Sequence, residues 1–171
     1  MAAVIRRLLL CCVAGSLLFA CSGDESSSNS TTTSTTAPAC AAEVAYPIDP
    51  GSGQHILPGS PEPTYNTDPP TSGAHAPGNH PSGALAEPIA RPVQVGMLEG
   101  GHVLVQFRDA GLREALAPFA SPKGGVTVAP NPSMDAPIVV TAWLYSMRCQ
   151  RVEGTAIDAF ITAHLGKNPG H

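Results

Sequence analysis

The sequence predicts an α+β domain, a small mixed β-sheet with two helices on one face, wrapped by a long irregular segment rich in proline and glycine. Three observations predict it. Eleven of the eighteen prolines fall between residues 41 and 101, at positions 47, 50, 58, 61, 63, 69, 70, 77, 81, 88 and 92. The second half of the chain instead carries β-branched runs with strand character. Between and after those runs lie two stretches with apolar residues at helical spacing. Helices that each bury one stripe, set against a short sheet, define a two-layer domain.

Taken in order, residues 41–101 contain too many prolines for a helix, so none is expected there. Their apolar residues Tyr46, Ile48, Ile56, Leu57, Tyr65, Leu85, Ile89 and Val93 suggest a segment that wraps a core. His102 to Phe107 reads as a strand. Asp109 can cap a following helix whose buried face is Leu112, Ala115, Leu116 and Phe119. Residues 125–130 read as a short strand, and 137–149 as one long strand, apolar throughout and therefore central. Thr155 with Asp158 resembles a capping box opening a last helix, with Ile157, Phe160, Ile161 and Leu165 on one face and Gly166 as its stop.

Three segments precede or make up the mature chain. Residues 1–21, "MAAVIRRLLLCCVAGSLLFAC", have a basic start at Arg6 and Arg7 and an apolar run too short to span a bilayer, which marks an export signal. The end, Leu18 to Cys21, resembles a bacterial lipobox, which implies that Cys21 is lipidated and anchors the protein to the outer side of a membrane. The alternative is a secretory signal cut elsewhere. Residues 22–39 hold only Ser, Thr, Gly, Asp, Glu, Asn, Ala and Pro, a disordered tether. Residues 40–171 suit a single domain.

Charge and cysteines narrow the classes further. Without Arg6 and Arg7, seven basic residues stand against thirteen acidic ones, with no basic run, so nucleic acid is not an expected partner. No protein partner can be read from the sequence. Cys11 and Cys12 leave with the signal and Cys21 carries lipid. Cys40 and Cys149 are then the pair left for a disulfide in an oxidising compartment, two free buried thiols being the alternative.

The stretch "YNTDPPTSGAH", Tyr65 to His75, resembles the signature of the DUF3105 family, exported bacterial proteins without an established biochemical function. The resemblance covers most of residues 40–170, including Cys40, "GSGQHI" with His55, "LEGGHVLV", "TAW" and "FITAHLGKNPG". The family pattern carries a segment like H-N-L-E-H-G-G, whereas this chain has "GMLEGGH", with Gly96 and Gly100 at the histidine positions and Glu99 retained. That departure implies metal binding weaker than in typical relatives, or none. His102 can compensate only if the neighbouring ligands shift.

Six histidines, at 55, 75, 80, 102, 164 and 171, fall in residues 40–171. His75 and His80 flank a stiff proline loop, and with His55, Glu99 or His102 they form a nitrogen-rich set suited to zinc or copper. The competing reading has His75 bonding loop backbone to fix the wrap. His164 reads as a core-edge residue. No G-x-S-x-G elbow accompanies Thr71 and Ser72, whose hydroxyls are expected to bond backbone, and no C-x-x-C pair is present, so no catalytic residue is assigned. The leading expectation is a membrane-anchored extracytoplasmic domain that acts by binding, with a transition metal as its candidate ligand. A structural or protein-interaction domain of the cell envelope is the alternative, and a metal-dependent enzyme the third reading.

Overall fold

The computed structural model describes residues 37–121 and 123–167. The export segment with Cys21, the tether as far as residue 36 and His171 lie outside the described residues.

The described chain is α+β. Its elements are β1 (Val44–Ala45), β2 (Gly83–Ala84), α1 (Arg91–Glu99), β3 (Val103–Phe107), α2 (Arg113–Leu116), β4 (Val126–Pro130), β5 (Ile138–Ala142), β6 (Tyr145–Cys149) and α3 (Gly154–His164), with single 3₁₀ turns on either side of α2. The strands form one mixed sheet in the order β1-β6-β5-β3-β4-β2. β4 pairs parallel with β3 and β2, and every other pairing is antiparallel.

Alternation along the strands divides the core in two. On one face Val103, Val105, Phe107, Val128 and Val140 pack with Leu116 of α2 and with Ile157 and Phe160 of α3. These are the two helices expected on one face. On the other face Leu104, Ala129 and Trp143 pack with Val95, Met97 and Leu98 of α1 and with Tyr65 and Ile89 of the proline-rich segment. Gln106 also faces this side, bonded to Gln94 of α1 and to Asn131. All three buried amides thereby avoid the penalty of an unmet polar group.

The helix α1 corrects the expectation that 41–101 holds none. Pro92 lies in its first turn, where the missing N–H would have no intrahelical partner and the fixed φ suits the helix. The expected single strand 137–149 is a hairpin, β5 and β6, turning at Trp143-Leu144. Leu144 has φ 64°, and its backbone is tied on both sides, its N–H to Thr71 O and its carbonyl to Tyr46 N–H. The wrapping segment thus holds a turn that carries no glycine. β5, the apolar half, is central, and β6 runs next to the edge. α3 starts at Gly154 with Glu153 as N-cap and no side-chain cap bond, so Thr155 does not cap it. Asp109 does stand at the N-cap of the turn leading into α2, but its carboxylate accepts from Arg108 and makes no cap bond.

The wrap is held by polar contacts at defined points. Ser72 Oγ accepts from Asp49 N–H, the Asp49 carboxylate accepts from Gly51 and Asn66 N–H, and Thr67 Oγ1 accepts from Thr71 N–H. Tyr65 is buried and donates to Ala74 O at 2.8 Å. Ile48 and Leu57 do not join the core; they are 55% and 76% exposed. Cys40 and Cys149 are bonded, with Cα atoms 3.9 Å apart. No described helix is long and apolar enough to cross a membrane.

Candidate metal centre

His55 and His75 come together because the chain pairs them. The two residues form an isolated parallel bridge, in which Ile56 N–H donates to His75 O and His75 N–H to Gln54 O. Paired residues of a bridge send their side chains to the same side, and the two rings meet edge to face with centroids 4.9 Å apart. α1 brings the third group, Glu99, as its last residue. The wrap is pinned to that helix by Ala76 N–H donating to Pro92 O.

His75 is the fixed member, 1% exposed. Its Nδ1 is 3.1 Å from Gly73 O, and since a carbonyl only accepts, Nδ1 is the donor. In the neutral ring that leaves the lone pair on Nε2, the arrangement by which second-sphere carbonyls prepare a histidine ligand. Nε2 lies 2.5 Å from Glu99 Oε2. The ring and the carboxylate are thus in direct contact, an ion pair when the ring is protonated. Glu99 is partly buried and His55 is exposed, so the cluster opens to solvent on the His55 side.

One ligand atom from each of His55, His75 and Glu99 lies within 4.8 Å of the other two. Two metal-ligand bonds of about 2 Å put ligand atoms roughly 3 to 4 Å apart. The residues fit an ion if the His75–Glu99 pair opens by about 0.5 to 1.5 Å and His55 closes by up to about 2 Å. Two imidazoles and a carboxylate suit zinc or copper, and three protein ligands leave a coordination position for water or a further ligand.

The other two expected ligands stand beside this trio. His80 is half-buried, and burial lowers its pKa from the usual histidine value, with His102 and His75 adding to the effect and Glu99 opposing it. Burial also lowers the pKa of His102, whose Nδ1 is buried without a hydrogen-bond partner. The His102 ring lies toward Gly125, where a Cβ would come within 3.4 Å of its Cδ2. His164 belongs to a separate place, stacked between Tyr145 and Phe160 and 3.0 Å from Glu43. Ser72 is buried with its hydroxyl bonded to backbone, which agrees with the structural role expected of it.

Sequence reasoning did not single out Gly73, whose carbonyl orients His75. Its only signal was position, in the turn two residues before the histidine.

The fold and this cluster define a class, a strapped α+β domain with a histidine–carboxylate group between strap and helix. The chain belongs to the DUF3105 family, described as a protein of unknown function, whose model matches residues 60–171. His75 and Glu99 lie inside the match and His55 lies before it. No curated protein and no solved structure matches the chain.

Proposed function

We propose that this protein is a lipid-anchored extracytoplasmic domain that works by binding a transition metal, zinc or copper, through His55, His75 and Glu99. The observation that carries the metal reading is the convergence of three ligand atoms within 4.8 Å from three separate parts of the chain. The bond from His75 Nδ1 to Gly73 O supports it, because that bond turns Nε2 toward the carboxylate. The anchor rests on the sequence around Cys21. The test is calorimetric titration of metal-depleted protein with zinc and with copper. Binding that His75→Ala removes supports the reading, and no binding to the wild type rejects it.

A protein-interaction role is the second reading. It is favoured by an apolar groove of about 350 Å³ lined by Ile56, Leu57, Pro58, Pro77 and Pro92, with Leu57 three-quarters exposed. In that reading the His75–Glu99 contact holds the strap to α1, and His75→Ala lowers stability in metal-free buffer without changing any affinity for metal.

A further inference from the structure

Gly96 and Glu99 lie three residues apart on α1, which puts them on one face with Cβ positions about 5 to 6 Å apart. A Cβ on Gly96 would fall 2.8 Å from His80 Cε1 and 2.9 Å from His80 Nε2. The imidazole of His80 therefore occupies the space that a side chain at position 96 would take, one turn from Glu99. The same missing Cβ admits Ala76 O, which would lie 2.6 Å from it. The backbone just after His75 and the ring of His80 thus approach the same turn of the helix, and the charges of His102, His75 and Glu99 all reach His80, that of His102 most strongly.

We propose that His80 is a fourth protein ligand, its Nε2 turning from above Gly96 to complete a three-histidine, one-glutamate set with His55, His75 and Glu99. This rests on the metal reading above and specifies the kind of site. A three-ligand site keeps an open position of the sort catalytic zinc uses, whereas four protein ligands close a tetrahedral ion off from water, as in sites that hold metal. His80 is only half-buried, so its ring can turn without displacing packed core. The His102 ring packs between Gly125 and Gly100, its Cδ2 3.4 Å and 3.9 Å from where their Cβ atoms would lie, and the proposed set does not include it.

The test compares the full chain with His80→Ala, His102→Ala and His75→Ala. Zinc affinity is measured by competition with a chelator, and the ligand set by the visible spectrum after cobalt(II) substitution. His80→Ala is expected to weaken zinc by at least about 100-fold, the upper end of the loss seen when only an outer-sphere partner is removed. With water in the vacated position the cobalt spectrum is also expected to shift and to become sensitive to pH and added anions, while His102→Ala changes neither affinity nor spectrum. Metal-free melting curves of the variants show that the fold is intact. Wild-type affinity and an unchanged cobalt spectrum in His80→Ala overturn the proposal and leave the His55–His75–Glu99 reading standing if His75→Ala still abolishes binding. A wild type that binds no zinc or cobalt removes both.

Discussion

Gly73 lies against the ring of Tyr65 so closely that a Cβ on the glycine would fall 2.8 Å from Tyr65 Cδ1 and 3.0 Å from Cε1. Gly73 also has φ 127°, a conformation that residues with a side chain rarely adopt. The residue carries two tasks, since its carbonyl orients His75 while its bare α-carbon lets the tyrosine close the strap. Gly73→Ala is expected to lower stability by about 2 to 4 kcal/mol, combining overpacking with backbone strain. Urea unfolding measures it, and a loss below about 0.5 kcal/mol, within the range of an ordinary surface change, counts against this account.

Tyr65 reports on the same contact from the other side. Burial, with smaller contributions from Glu62 and Asp49 and an opposing one from Arg91, pushes its hydroxyl up to about 12 from the ordinary 10.0. The unfolded chain releases this proton first, so the stabilisation is complete below pH 10 and is lost as the pH rises toward 12. An alkaline absorbance titration should show a late tyrosinate step that Tyr65→Phe removes. If the titration curves of the two proteins differ only by an ordinary tyrosine step near 10.0, the burial of this hydroxyl is wrong.

Strands β3 and β4 were legible because β-branched residues alternate there with no competing signal. The helix α1 was not, because the density of prolines across 41–101 argues against any helix there. Proline breaks a helix by withholding an N–H and by clashing with the preceding turn, and in the first turn neither matters. The β5–β6 hairpin was hidden for a different reason. Its Trp143-Leu144 turn has no glycine, asparagine or aspartate to announce a positive φ, and the bonds that hold it come from Thr71 and Tyr46, far away in sequence.

The candidate site shows the same division. Histidine and glutamate types, and the stiffness of the strap around His75, could be read from the chain. The pairing of His55 with His75 could not, because a single bridge across twenty residues leaves no periodic trace. Nor could the role of Gly96, which acts through the space its missing side chain leaves.

The proposed anchor at Cys21 gives a prediction independent of the site. Cys21→Ala removes the thiol that would carry lipid, and without it the protein should leave the membrane fraction and its mass should fall by that of the lipid. Fractionation followed by intact-mass measurement checks both. A membrane fraction and a mass unchanged apart from the substitution would defeat the lipoprotein reading.

Besides its pairing with β6, the segment leading into the sheet is tied by the Cys40–Cys149 disulfide and by the contact of Glu43 with His164 on α3. The two differ in strength for physical reasons. The disulfide closes a loop across a sequence separation of 109 residues. Constraining the unfolded chain over about 100 residues is worth up to about 4.7 kcal/mol in the chain-entropy model. The Glu43 carboxylate is about half exposed, so solvent screens its contact with His164, and pairs of that kind contribute about 0 to 1 kcal/mol. The double substitution Cys40→Ala with Cys149→Ala should therefore destabilise by about 2 to 5 kcal/mol, and Glu43→Gln by less than about 1. Because the bond acts on the unfolded chain, its removal should also raise the denaturant m-value, since a chain freed of the loop exposes more surface when it unfolds. Urea titrations of the three proteins check both quantities. A double variant that loses less than about 1 kcal/mol with an unchanged m-value would show that the pairing of β1 with β6 holds this segment without the covalent link.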